Sequence, residues 1–114
     1  MNDKSDLVFI EHILDSITAI EEFSKGLNKK ELEGNRLKQS AIVREIEIIG
    51  EAVKNISKHL KDKHKEIEWK EIAGTRDKMI HHYFGVDLDI IWDIIKTNLP
   101  NLKKNILKIK KSQN

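Results

Sequence analysis

The sequence contains no cysteine, one proline (Pro100), one tyrosine (Tyr83) and only six Phe, Trp and Tyr residues in all. Without cysteine, neither a disulfide framework nor a thiolate metal site can form. No run approaches the roughly 18 apolar residues that a membrane-spanning helix needs, and the opening Met-Asn-Asp-Lys-Ser is unlike a signal peptide. We therefore expect a cytoplasmic protein without membrane association, metal or cofactor of its own.

The apolar and charged residues that are present follow helical rather than strand spacing. They make up 39% and 35% of the 114 positions, which suits helices with one solvated face. A chain of this length forms one domain, so we assign residues 1–114 to a single unit. The predicted fold is all-α, an up-down bundle of about five helices.

The first two helices are predicted at about residues 5–25 and 36–60. Asp3 or Ser5 is the expected N-cap of the first and Gly26 its stop, while residues 27–35 form a connector with room for a short helical turn. Gly50 lies inside the second helix, where close approach of another helix would explain a glycine. The second helix carries two apolar stripes, so we expect it to be central; the main seam is Ile42, Ile46, Ile49, Val53, Ile56 and Leu60, and the second stripe is Leu37, Ala41, Ile48 and Ala52.

Three further helices follow a charged linker at residues 61–66. The third begins near Trp69 and ends at Gly85, and Asp87 is the expected N-cap of the fourth. Pro100 is expected in the first turn of the fifth, which runs to about Lys110. Because these helices leave apolar surface to spare, we expect a homodimer.

Net charge is +2, but it is unevenly distributed. The last fourteen residues carry five lysines and no acid, whereas residues 1–100 hold 16 basic and 19 acidic residues. A basic terminal helix can attract phosphate backbones. Lysines near a helix C-terminus also suit the helix dipole when the helix is merely solvated. Both interpretations stay open for this helix.

Between positions 76 and 83 the chain gathers Arg76, His81, His82 and Tyr83. Arginine offers a fixed fork of donors to a phosphate, and histidine transfers protons near neutral pH. Together these groups suit cleavage of an RNA phosphodiester without a metal, with arginine stabilising the charge that develops on the phosphate. Tyr83 adds a hydroxyl or a ring for base stacking.

Helical spacing complicates that site. Arg76 lies in the apolar stripe of the third helix and would need a buried partner, for which Glu45 is a candidate. At about 100° per residue, Arg76 and His81 lie roughly 140° apart, whereas Arg76 and Tyr83 align. A reaching arginine, a distorted helix or a second subunit would each complete the site. A purely structural role for these side chains also fits the spacing.

The pattern Arg76, Asp77, His81 and Tyr83 resembles the R-x4-H-x-Y motif of HEPN-domain toxins of the HepT type. The similarity extends over residues 67–76 (Ile-Glu-Trp-Lys-Glu-Ile-Ala-Gly-Thr-Arg), over residues 82–92 and over Val-Arg-Glu-Ile-Glu-Ile-Ile-Gly-Glu-Ala at 43–52. These blocks stand in the right order and cover about residues 40–103. The motif alone would be a weak signal; the three blocks together are a specific one.

The resemblance implies an all-α, HEPN-like homodimer and a ribonuclease toxin. Arg76 and His81 would be the catalytic pair, with Asp77 as the polar residue after the arginine. Tyr83 would accept AMP from ATP, transferred by a minimal nucleotidyltransferase that acts as the antitoxin. His82 stands where the family varies, either as an auxiliary acid or base or as a surface residue. The alternative is a non-catalytic subunit that presents nucleotide or substrate to the nucleotidyltransferase.

Overall fold

The computed structural model describes residues 3–79 and 87–113, with side chains described for 5–79 and 87–112. No strand occurs in these ranges, so the predicted all-α class is confirmed. None of the described helices is long and apolar enough to cross a membrane. The elements are α1 Asp3–Ser24, α2 Lys29–Glu33, α3 Arg36–Asn55, α4 Lys58–Lys63, α5 Trp69–Ala73, α6 Thr75–Met79, α7 Leu88–Asp93, a π-helical turn Ile94–Asn98, and α8 Leu99–Gln113.

Helix α1 packs between α3 and α8, and these three long helices form the body of the bundle. Lys110 of α8 binds Glu11 of α1 at 2.9 Å. Near the opposite ends of the same two helices, Lys103 of α8 binds Glu21 of α1 at 3.0 Å. The two helices pair in reverse sequence order and are therefore antiparallel, as an up-down bundle requires.

The core is built mainly from isoleucine, as the helical spacing predicted. The main seam of the second predicted helix is buried throughout, from Ile42 to Leu60. Its second stripe is not, because only Ala52 is buried and Leu37 is 81% exposed. The least exposed large side chains come from all three long helices and from the shorter ones: Ile10, Ile13, Ile17, Ile20, Leu32, Ile42, Met79, Ile91, Ile106 and Ile109.

The second predicted helix is interrupted, although its seam is not. Helix α3 ends at Asn55, Ile56 is extended, and Ser57 caps α4 by accepting the Leu60 N–H at 3.1 Å. The buried Asp6 of α1 accepts hydrogen bonds from the Ser57 N–H at 2.8 Å and hydroxyl at 2.6 Å. Prediction of one helix to residue 60 was wrong because a serine cap, not the apolar period, decides the break. The same contact makes α1 antiparallel to α3.

The ends of the first helix were predicted only in part. Gly26 stops it with φ +75°, a conformation that glycine adopts without strain. Helix α1 already includes Asp3, so neither Asp3 nor Ser5 is its N-cap. The connector holds the short helix α2, which begins with a capping box between Asn28 and Glu31.

The fourth and fifth predicted helices form one continuous helical path. Asp87 caps α7 as predicted, since its carboxylate accepts the Ile90 N–H at 3.1 Å. The backbone stays helical at Asp93 and Leu99, on both sides of the π turn. Pro100 has no N–H to donate to the preceding turn and its ring crowds that turn. The wider π turn, in which the Leu99 N–H bonds to the Ile94 carbonyl, accommodates it without ending the helix.

Candidate functional site

Arg76 and Asp77 lie on the one-turn helix α6, which is part of a short arm formed by α5 and α6. The third helix was predicted to be continuous through this region, but it breaks at Gly74. The Gly74 N–H bonds to the carbonyls of Lys70 and Glu71 and closes α5 before α6 begins. The other motif residues, His81, His82 and Tyr83, and the predicted helix end at Gly85, lie outside the described residues.

The arm is held against α3 by a close backbone approach at Gly50. A Cβ atom at position 50 would lie 3.4 Å from the Ala73 carbonyl oxygen and 3.6 Å from that of Ile72. The close approach expected at this interior glycine is therefore present, although a Cβ atom would make only ordinary contacts there. Because Ala73 lies beside Gly50, Arg76 comes to lie about one helical turn away along α3, at Glu47.

The far end of the arm is fixed by Met79. Its side chain is fully buried, and its carbonyl accepts the Asp87 N–H at 2.7 Å. That hydrogen bond joins the end of α6 to the residue that caps α7. Met79 and Asp87, the described residues that flank positions 80–86, are thus joined to each other.

The apolar stripe predicted that Arg76 faces the core, but the structure shows that it does not. Its side chain is 59% exposed. Its Nε–H donates to Glu47 Oε2 at 2.5 Å, so the α3 partner is Glu47 rather than the predicted Glu45. The break at Gly74 explains the difference, because the stripe that ran from Trp69 through Arg76 assumed an unbroken helix.

Among the described side chains, Asp77 is the neighbour of the Nη edge of Arg76. Asp77 is 87% exposed, and its Oδ1 lies 4.0 Å from Arg76 Nη1, beyond hydrogen-bonding distance. Among the described side chains, none accepts a hydrogen bond from either Nη atom of Arg76. Two nitrogen atoms of one guanidinium can bind two oxygens of a phosphate, and the Arg76 side chain that carries them is more than half exposed.

A groove with a volume of about 320 Å³ adjoins Glu47 between α1 and α3. The Phe9 and His12 rings meet edge to face in its wall, with centroids 5.9 Å apart. Arg44, Ile48, Glu51, Ala52 and Asn55 complete the lining. The sequence analysis missed both this groove and Glu47. For Glu47, Gly50 was a usable signal, because the close approach there places α5 against this part of α3.

A second cavity of about 340 Å³ lies between the arm and the path from α7 to α8. Glu68 and Glu71 line it. The hydrogen bond between their carboxyl groups, followed by the like charge of Glu71, raises the pKa of Glu68. No group of three or more His, Asp or Glu side chains suited to a metal ion occurs among residues 3–79 and 87–113. The expected metal independence remains a prediction.

The antiparallel helical bundle is that of an all-α domain and is consistent with the HEPN-like class. Residues 13–109 match the family model described as Ribonuclease HepT-like. The chain belongs to this family of ribonucleases, which confirms the family and the enzyme class that its motifs indicated. No solved structure matches the chain significantly.

Curated relatives agree with the family model. "Probable ribonuclease HepT" of Thermococcus cleftensis is 42% identical over 103 residues, covering 90% of this chain and 94% of the relative. "Putative RNase" of Caldanaerobacter subterraneus subsp. tengcongensis is 43% identical over 106 residues, covering 93% and 95%. "Gamma-glutamylcyclotransferase and putative RNase" of Methanocaldococcus jannaschii is 44% identical over 102 residues. The match covers 90% of this chain but only 46% of that relative, so the chain spans about half its length.

Proposed function

We propose that this chain is the ribonuclease toxin of a toxin–antitoxin pair and cleaves RNA phosphodiesters without a metal ion. The observation that carries the proposal is Arg76, the first residue of the R-x4-H-x-Y motif. It is exposed and held through its Nε–H by Glu47, and its Nη atoms form no hydrogen bond with the described side chains. An open guanidinium edge suits a phosphate, and membership of the HepT-like ribonuclease family supports RNA as the substrate.

Each motif residue has a role in this chemistry. Arg76 stabilises the charge that develops on the phosphoryl oxygens, and His81 transfers the proton of the 2′-hydroxyl or of the leaving oxygen. Asp77 and His82 are auxiliary polar groups beside this pair. The roles of His81 and His82 rest on the motif.

A homodimer would complete the site by placing two copies of Arg76 and His81 across one cleft. The support is the second stripe of α3, which the fold leaves only partly covered. Leu37 is 81% exposed, and Ala41 and Ile48 are only partly buried. Ile48 adjoins Glu47, so a second subunit that covers this stripe would lie beside Arg76.

Activity would be switched off by a partner nucleotidyltransferase that acts as antitoxin. The Tyr83 hydroxyl oxygen would attack the α-phosphorus of ATP and lose its proton, while the bond to pyrophosphate breaks. The AMP group adds a negative phosphate and bulk to a site that receives RNA phosphate, so substrate is repelled and blocked. ATP is then the partner's AMP donor rather than a cofactor of this chain.

The ribonuclease proposal is tested with Arg76→Ala and His81→Ala. Both variants should lose RNA cleavage by the purified protein and growth arrest on expression. Arg36→Ala is the matched control, because Arg36 is an exposed arginine at the start of α3. Cleavage by either motif variant at the wild-type rate would overturn the proposal, and an inactive wild-type dimer that still binds the nucleotidyltransferase would favour a non-catalytic subunit.

The adenylylation proposal is tested by intact-mass measurement after incubation with the partner nucleotidyltransferase and ATP. The mass should rise by whole AMP units, and cleavage should be lost in parallel. Because Tyr83 is the only tyrosine in the sequence, Tyr83→Phe removes every tyrosine hydroxyl and should remove the shift. A shift that persists in Tyr83→Phe would place the modification elsewhere.

A further inference from the structure

The five lysines of α8 separate into two sets on different faces of the helix. Lys103 and Lys110 point at α1, where they pair with Glu21 and Glu11. These two ion pairs hold α8 to the bundle. Part of the basic charge at the C-terminal end therefore has a structural role.

The other three lysines, Lys104, Lys108 and Lys111, form a stripe on the outer face, which we name the basic stripe. All three are exposed, and their 4-3 spacing places them within about 60° on the helix. In the described part of the chain none of them forms an ion pair. Residues 101–114 contain no acid that would neutralise them.

We infer that the basic stripe binds the phosphate backbone of the RNA substrate outside the cleavage site. The inference rests on the proposed ribonuclease function and deepens it. Three unpaired ammonium groups in a row attract a polyanion and release its counterions, whatever its base sequence. The stripe would hold RNA on the protein while Arg76 engages one particular phosphate.

The burial of α8 favours RNA over an anionic membrane. An amphipathic helix that lies on a membrane inserts its apolar face between lipids. The apolar face of α8, with Leu102, Ile106 and Ile109, is buried in the core. Leu107, which is 44% exposed, is the remaining large apolar side chain on the described outer face.

The test measures binding of a labelled single-stranded RNA to His81→Ala protein, which would not cleave the RNA under the proposed function, at several salt concentrations. Lys104→Gln, Lys108→Gln and Lys111→Gln combined should weaken binding about tenfold at low salt. The same triple change should reduce the slope of log K against log salt by about 2, the value for three phosphate contacts on a single strand.

Lys103→Gln with Lys110→Gln is the matched control, because it removes the same charge type from the same helix. This double variant should melt earlier but lose less salt dependence per lysine than the triple variant. Equal losses per lysine, or an unchanged slope in the triple variant, would overturn the inference. Binding that transfers to anionic phospholipid vesicles would overturn it in favour of a membrane, and a wild-type chain that binds no RNA would overturn the ribonuclease proposal as well.

An independent observation, the contact of Arg76 with Glu47, supports a second inference. The guanidinium uses its Nε–H for Glu47, which leaves its Nη groups without a hydrogen bond to any described side chain. An exposed arginine otherwise samples many rotamers, and ordering it costs entropy. We infer that Glu47 is a positioning residue that aims the Nη edge of Arg76 at the scissile phosphate.

The kinetic signature separates positioning from mere stability. Loss of Glu47 frees Arg76 to move, so kcat should fall about tenfold, the effect of a misplaced catalytic group. KM for RNA should not rise, because a negative charge beside the phosphate site has been removed. Glu47→Gln keeps an acceptor for the Arg76 Nε–H and should retain more activity than Glu47→Ala.

Glu51→Ala is the matched control, one turn further along α3 and paired with Lys54 rather than with Arg76. Equal kcat in Glu47→Ala and Glu51→Ala, or a loss fully matched by a lower melting temperature, would overturn the positioning role. If Arg76→Ala is inactive while Glu47→Ala is not, only this inference fails. If Arg76→Ala is active, the proposed function fails with it.

Discussion

The three-helix body and the arm that carries Arg76 are held by different kinds of contact. The body, α1, α3 and α8, buries long rows of isoleucine against one another. The arm consists of two one-turn helices fixed at a few points, chiefly the approach at Gly50, the ion pair with Glu47 and the buried Met79. The body should therefore set stability and the arm should set activity. Substitutions in each can test that division.

The largest expected effect on stability is in the body, from Ile42→Ala. Ile42 is fully buried, and truncating a buried isoleucine removes apolar contact and leaves a cavity, at a cost of about 3 kcal/mol. The free energy of unfolding from urea titration measures the change. Val8→Ala, at a half-exposed position of α1, is the control and should cost far less; similar losses would mean that the body is not packed as described.

Next in size is Asp6→Ala, which removes the acceptor shared by the Ser57 N–H and hydroxyl. Because two hydrogen bonds to a carboxylate acceptor are lost and the part-buried Ser57 donors are left without it, the expected loss is about 2 kcal/mol. Asp15→Ala, at an exposed position of the same helix, should be nearly neutral. If the two aspartate variants unfold at the same urea concentration, the hydrogen bonds between Asp6 and Ser57 contribute nothing to stability.

At Gly50 the body and the arm meet, so two substitutions there should separate stability from activity. A Cβ at 3.4 Å from Ala73 is an ordinary contact, and Gly50→Ala should stabilise α3 by up to about 1 kcal/mol through helix propensity. Gly50→Ile adds atoms where the arm's backbone lies and should cost about 2 kcal/mol from overpacking. Its RNA cleavage should fall more than the unfolded fraction explains, and activity that simply tracks stability would refute the division.

Much of the body was predictable from the sequence because burial in long helices follows apolar spacing. The seam from Ile42 to Leu60 is buried even where the helix is interrupted. The spacing of apolar residues therefore predicts which side chains are buried more reliably than it predicts whether the helix is continuous. The serine that caps α4 at the interruption also donates to Asp6, 51 positions away. No local pattern contains that contact.

The candidate site was less predictable, for a related physical reason. Its motif marked Arg76, but the direction of that side chain depends on the break at Gly74 and on a partner 29 positions away. An unbroken helix would have turned Arg76 toward the core, as the apolar stripe suggested. Arg76 is exposed, and can reach a phosphate, because the helix breaks at Gly74. The spacing of apolar residues does not predict that break.

The smallest expected effect concerns pH and Glu68, the residue that directly precedes the arm at the N-cap position of α5. Its pKa is raised by the hydrogen bond with Glu71 and by the charge of that neighbour, so the folded state holds this proton more tightly than the unfolded state. The resulting stabilisation is complete below the ordinary glutamate pKa of 4.5 and is lost as pH rises through the raised value. Glu68→Gln keeps a donor for Glu71 without the second charge, so its urea midpoint should equal that of the wild type at about pH 4 and exceed it at pH 7. Glu22→Gln, at an exposed position in the body, should show no such divergence; a parallel pH profile for Glu68→Gln would mean that the two carboxyl groups do not share a proton.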